Sequence, residues 1–190
     1  VTEGSNDSPE GYWSNSYLAI ANANLALDGI ENLGGATTTA LKEEKAEALL
    51  CRAYNHFILV NLFSKAYNSQ TSKEDAGIPY MDHTSSEFIP QVPRGTVAET
   101  YEKIDKDIQE ALPMVGDSHL DVPKYHFNTR AAYAFAARFY LYYEKWDKAI
   151  EYANLCLGTQ PKSMLRDWRA IASLAQTYEA VTNQYIAADE

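Results

Sequence analysis

Three kinds of residue in this 190-residue chain have types and spacing that could do chemistry. The first are paired carboxylates: Glu43-Glu44, Asp105 with Asp107, and Asp189-Glu190. Two carboxyls in one pocket can divide the roles of general acid and general base. These pairs lie on faces expected to be solvated, and no pocket is implied. The second are His119 and His126, flanking Asp117 and Asp121 in one loop. Imidazole and carboxylate bind metals, but this spacing matches no established ligand motif, so a loose surface cluster is expected. His56, in the middle of a helical pattern, reads as a core or packing histidine.

Aromatic side chains are the third kind, because sugar rings stack on Tyr and Trp faces through their C–H surfaces. Tyr67, Tyr80 and Phe88 fall in an irregular segment and are freer to be exposed, which makes them candidate ligand-binding residues. Trp13, Trp146 and Trp168 fall within helical patterns, where core packing is expected. Asn24 interrupts an apolar stripe and needs partners if buried, so it is expected to tie the backbone of a neighbouring loop. There is no Gly-rich phosphate loop and no Gly-x-Ser-x-Gly elbow. No catalytic residue, metal or cofactor is nominated, and a non-enzymatic protein is expected.

The elements that must position these residues are almost all helical. Ser8-Pro9 supplies an N-cap and a first-turn proline. Trp13, Tyr17, Ile20, Asn24 and Leu27 then recur on one helical face until Gly34-Gly35. Thr38 and Thr39 open a second helix, with Ala46, Leu49, Ala53, Phe57 and Val60 on one side. Leu50, Tyr54, Ile58 and Leu62 broaden that stripe, so burial on more than one face is expected. Periodicity is lost over residues 65–94, which hold Pro79, Pro90 and Pro93; a loop this long inside a compact domain tends to be functional or disordered. Thr96-Val-Ala-Glu99 is a capping box for a helix with Val97, Tyr101, Ile104, Ile108 and Ala111 inward. Asn128 or Thr129 caps the next helix, and a shorter one runs from Asp147 to Leu157. Leu165, Trp168, Ala172, Ala175 and Tyr178 continue a helical spacing in the tail. The fold class is therefore all-α, an array of antiparallel helix pairs with one long irregular insertion.

Composition agrees with a packed protein: 46% hydrophobic and 12% aromatic. The formal charge of −10 disfavours a nucleic-acid partner, since Lys and Arg are scattered without a basic stripe. No apolar run approaches the ~20 residues of a membrane span. The start, VTEGSNDSPEGYW, has no basic, apolar or Met signature of a signal peptide, which reads as a piece of something longer. Cys51 and Cys156, the only cysteines, sit inside apolar helical patterns and are expected as buried free thiols.

Helix pairs with a repeat of about 34 residues are the tetratricopeptide signature. Laid on residues 130–163, that pattern places Tyr133 and Tyr140 at bulky sites, Ala136 and Ala137 at the close approach, and Ala149 where the second helix crosses the first. Ala153, Cys156 and Pro161 occupy the later sites. Residues 41–64 and 96–112 read as another pair, with the long loop inserted between its helices. The whole, 1–190, reads as one helical-repeat domain.

Four segments occur in a telling order: AEALLCRAYNHFILVNLFSKAY, GIPY, VPRGTVAETYEKIDKDIQEAL and FNTRAAYAFAARFYLYYEKWDKAIEYANLCLG. Together they closely resemble the SusD/RagB family of outer-membrane glycan-binding lipoproteins of Bacteroidetes, from about Trp13 to Gly158. Arg52-Ala53-Tyr54, Ile78-Pro79, Arg94 and the Ala131-to-Leu141 helix carry the likeness. Ser64-Lys65-Ala66 departs from it, where the family has a glycine and a short apolar turn. The resemblance implies a cell-surface protein, lipid-anchored in its full-length parent, that delivers oligosaccharides to a SusC-like TonB-dependent transporter. Its helical repeats would serve as scaffold and docking surface. Family members are much longer, so this looks like the N-terminal helical portion, with most glycan contacts elsewhere. The alternative is a tetratricopeptide-like adaptor that binds a peptide or protein in the groove between stacked helices.

Overall fold

The computed structural model describes residues 8–85, 91–165 and 167–186. It is all-helical as expected, with seven α-helices among the described residues and one isolated bridge, Ala76 to Thr96. The chain divides into two compact units, Val1–Cys156 and Leu157–Glu190.

The first unit is built on α1 (Pro9–Asn32), α2 (Thr39–Phe63), α3 (Val97–Ala111), α4 (Thr129–Tyr142) and α5 (Trp146–Leu157), the last residue of α5 lying past the division. Their starts follow from local chemistry. Each helix leaves its first N–H groups without intrahelical partners, and a side-chain oxygen just ahead accepts from one of them. Ser8 accepts from Gly11 at 3.0 Å, Thr38 from Leu41 at 3.2 Å and Asn128 from Ala131 at 2.9 Å. At α3 the capping box is complete: Thr96 Oγ1 accepts from the Glu99 amide at 3.1 Å, and Glu99 accepts from the Thr96 amide at 2.8 Å.

α2 packs against α1, α3 and α4, so it is buried on more than one side, as its broad stripe requires. Ile20, Leu49, Leu50, Phe57, Ile104 and Phe139 meet in one core. Removing such a side chain from water is worth about 1.5–3 kcal/mol. Leu62 is the exception in the stripe and lies exposed near the end of α2. α5 is joined to α4 by stacked tyrosines: Tyr152 lies 5.4 Å from Tyr140 and 6.2 Å from Tyr133, ring centre to ring centre. Ala136 is buried, whereas Ala137 and Ala149 are half-buried, Ala149 against the core.

The described part of the 65–94 segment is an ordered brace. Backbone carbonyls of Asp75 and Ser72 accept from Val97 and Ala98, both at 2.9 Å, and so satisfy the first free amides of α3. Arg94 donates to the Phe63 carbonyl at 2.7 Å, closing the C-terminal end of α2, and also to the Gly77 carbonyl. A β-carbon on Gly77 would stand 2.3 Å from the Thr96 carbonyl oxygen, so this approach requires glycine. Ile78 and Tyr80 then enter the core. Loss of periodicity marked a segment held by backbone bonding to helix ends, which leaves no period to read.

In the second unit the expected single tail helix is broken. A 3-10 turn spans Pro161–Met164; α6 covers Trp168–Ala172 and α7 Tyr178–Ile186. Asp167 caps α6, accepting from Arg169 and Ala170 at 3.0 and 3.1 Å. Two tryptophan expectations are also corrected. Trp13 packs on the core between Tyr17 and Phe63, but Trp146 and Trp168 are 56% and 61% exposed. Helical spacing reports which residues share a face, and it cannot report whether another element covers that face.

Candidate functional site

The three candidate ligand-binding aromatics do not form one surface. Phe88 lies outside the described residues. Tyr80 is 5% exposed, its ring stacked on His56 at 3.8 Å and its hydroxyl donating to Asp107 at 2.7 Å. It has no free face for a sugar, contrary to the exposure expected of a loop tyrosine. Tyr67 is half-buried, 4.9 Å from Tyr101 and 4.8 Å from Tyr143 between ring centres. Burial raises the pKa of its hydroxyl, reinforced by Glu144 and Glu102.

Tyr80 is drawn inward by a polar network that crosses α1, α2, α3 and the loop. Arg52 donates to both oxygens of Asp107, at 2.8 and 2.7 Å. Its remaining terminal nitrogen donates to Asn24 Oδ1 at 2.9 Å and to the Asp82 carbonyl at 3.0 Å. Burial alone would depress the Arg52 pKa; the hydrogen bond and charge of Asp107 outweigh it and raise the pKa. The Tyr80 hydroxyl is pushed well above the usual phenol range by burial and then by the Asp107 charge. Asn24 completes the arrangement as expected, donating to the carbonyls of Met81 and His83 at 3.0 and 3.1 Å.

His56 is the core histidine its position implied. The Met81 amide donates to Nε2 at 3.1 Å, which assigns the proton to Nδ1, 2.9 Å from the Arg52 carbonyl. Burial lowers its pKa to about 3, so the ring is neutral. Asp107 already receives Arg52 twice and Tyr80 once, and His56 is bonded at both nitrogens. The arrangement therefore fixes a loop on three helices and holds no open position for a reacting atom.

Of the carboxylates expected on solvated faces, Glu44 is exposed, but Glu43, Asp105 and Asp107 are drawn inward. Asp107 and Glu43 are buried, and Asp105 accepts from Tyr140 at 2.6 Å and Lys145 at 2.8 Å. Asp189-Glu190 lies outside the described residues. The sequence did carry a signal: Arg52 interrupts the stripe of Leu49 and Ala53, and Asp107 adjoins Ile108 on the inward face of α3. A charge within an apolar stripe requires a counter-charge, because an unpaired buried ion is very costly. His119 and His126 are likewise no loose cluster, as both bind carboxylates of α2. No group of three or more His, Cys, Asp or Glu among the described residues is arranged to hold a metal ion.

A groove of about 820 Å³ runs between α1 and the loop, lined in part by Trp13, Tyr17, Leu25, Met81, His83 and Thr84. Trp13 has Tyr17 and Phe63 each at 4.9 Å, which occupies much of its ring surface. No spacing in the sequence marks this groove, since its two walls lie more than 50 residues apart.

Residues 1–141 match the family described as SusD-like, starch-binding associating with the outer membrane. The SusD-like protein P2 of Formosa agariphila is 27% identical over 157 residues, covering 82% of this chain and 28% of that protein. A solved SusD superfamily protein of Bacteroides thetaiotaomicron superposes with a TM-score of 0.68 at 25% identity, covering 84% of this chain and 38% of its own. A SusD-like carbohydrate-binding protein of Bacteroides vulgatus gives 0.72 at 21% identity, over 86% of this chain and 34% of its own. The chain thus spans about a third of the length of these relatives.

Proposed function

Because this chain belongs to the SusD-like family, we propose that it is the helical scaffold of a non-enzymatic, cell-surface protein that captures oligosaccharides. The match over residues 1–141 carries this reading. In it, the full-length protein is lipid-anchored at the outer membrane and passes its glycan to a SusC-like TonB-dependent transporter. The helix pairs, including residues 130–163 as a repeat unit, form the framework and the face that meets the transporter.

The packing supports a supporting role for this portion. Glycan affinity needs aromatic faces and polar groups converging on a preorganised site. Tyr80 is spent on the core and Tyr67 on its neighbours. The sugar contacts of this reading therefore come mostly from chain segments other than those described. No helix among the described residues is long and apolar enough to cross a membrane.

Calorimetric titration with plant, host and storage glycans tests the assignment, comparing this 190-residue chain with a longer protein that contains it. Binding by the longer protein with silence from the chain supports it. Micromolar binding by the chain, lost in Tyr67→Ala, would move the site into the 65–94 loop. A longer protein that neither binds any glycan nor copurifies with a TonB-dependent transporter would overturn the reading.

A further inference from the structure

The connection from α3 to α4 is hydrogen-bonded to α2 through two carboxylates one helical turn apart, Glu43 and Glu47, and packs Met114, Val115 and Phe127 against the core. Glu43 Oε2 accepts from the Ser118 amide at 3.0 Å and from its hydroxyl at 2.6 Å, and lies 3.1 Å from His119 Nδ1. Glu47 Oε2 lies 3.2 Å from His119 Nε2. Glu47 Oε1 lies 2.8 Å from His126 Nδ1 and 3.3 Å from the Phe127 amide, which donates to it. The fit is close on the far side too, where a β-carbon on Gly116 would stand 2.3 Å from Glu43 Oε1.

Both ring nitrogens of His119 therefore face carboxylate oxygens. A neutral imidazole has a single N–H, so one of those contacts would set a nitrogen lone pair against an anion. Only the imidazolium donates to both. We infer that the 115–128 connection is a pH-released strap, clasped to α2 by a His119 imidazolium that bridges Glu43 and Glu47. Loss of one proton turns a double clasp into a single bond beside a repelled carboxylate, and the strap loosens. This inference is independent of the glycan reading.

The charges around the ring support it. Burial alone would lower the His119 pKa, and its hydrogen bonds to Glu47 and Glu43 raise it above the ordinary imidazole value. Hydrogen bonding from Ser118 lowers the Glu43 pKa first; for Glu47, burial is outweighed by His119 and His126, and the net direction is again down. From α2 the titratable groups here are Glu43, Glu47 and Cys51, whose thiol senses the Glu47 charge. Within the connection, His126 shares Glu47, Asp117 is turned to the Thr129 amide and hydroxyl at 2.7 Å each, and Asp121 and Lys124 complete the charges.

The test is nitrogen-15 NMR of the 190-residue chain across pH 5–9, with amide exchange of Ser118 and Phe127 corrected for base catalysis. Both His119 ring nitrogens should carry protons at pH 6.5, and the ring should titrate above the ordinary value of about 6.5. Protection of both amides should fall at least about tenfold as pH crosses that titration. In His119→Gln the protection should be low throughout and the pH step absent. A ring that titrates at or below about 6.5, or protection that is unchanged across its titration, overturns the strap. If His119→Gln fails to fold, the titration of the unsubstituted chain decides.

Discussion

Arg52 and Asp107 are 55 residues apart in the chain, yet their side chains meet in a buried two-pronged pair at 2.8 and 2.7 Å. The pair locks α2 to α3, and its remaining bonds hold α1 through Asn24 and the loop through Asp82 and Tyr80. Removing one partner strands a buried charge, which costs about 3–5 kcal/mol, whereas replacing both by apolar groups of similar volume is often neutral. Asp107→Ala should therefore lower the urea midpoint sharply. The double variant Arg52→Met/Asp107→Leu should recover most of that loss. Equal midpoints for the single and double variants would contradict the pairing.

Tyr80 and Tyr67 should separate as buried and half-buried groups. Tyr80→Phe deletes one bond to a charged acceptor, worth roughly 1.5–3 kcal/mol. Tyr80→Ala adds a cavity and should cost about 3–5 kcal/mol. Tyr67→Ala, at a half-buried position, should cost less. Thermal melts rank the three variants, and a Tyr80→Ala protein as stable as Tyr67→Ala would refute the burial of Tyr80.

Stability should peak near neutrality, with the two histidines setting opposite slopes. His56 has a folded pKa of about 3, below the unfolded value. The unfolded chain takes up its proton first, so stability falls as pH drops from about 6.5 toward 3. His119 has a raised folded pKa, so its contribution is complete below about 6.5 and is lost as pH rises through the folded value. Between about pH 6.5 and 4.5 both states hold His119 charged, and the slope belongs to His56. Urea titrations at several pH values should show that acid slope flattened in His56→Gln and the alkaline slope flattened in His119→Gln.

Cys51 should be a slow thiol. Burial, then the Glu47 charge, pushes the Cys51 pKa up to about 11. Both cysteines are free and half-buried, so Cys156 does not have the full burial its repeat position suggested. Thiolate is the attacking species, and at pH 8 Cys51 should react with a disulfide reagent more than about tenfold slower than free cysteine in solution. Counting labels over time in Cys51→Ala and Cys156→Ala checks the assignment.

Leu at Ala137 or Ala149 should cost roughly 1–3 kcal/mol by overpacking the α4–α5 contact. Chemical denaturation reads the effect. A fully tolerated Ala149→Leu would argue against the repeat register of residues 130–163.

How much was legible from the sequence follows from the range of the forces involved. Ser8, Thr38, the Thr96–Glu99 box and Asn128 act within three residues, and helical stripes such as Val97–Ala111 repeat within one element, so helices and their starts could be read directly. The core role of His56 and the loop-tying role of Asn24 were also legible, because a polar group on an apolar stripe must find partners. The partners themselves were not. Glu43 and Asp107 carry the same acidic signature as any solvated carboxylate until α2, α3 and the connections fold over them. Tyr80 reads as a free loop aromatic until the loop bonds to helix ends. Trp146 reads as core because its helix is amphipathic, though the face it belongs to stays open to solvent. Local pattern sets which groups must be satisfied; long-range packing decides which group satisfies them, since burial depends on contacts tens of residues apart that no local period encodes.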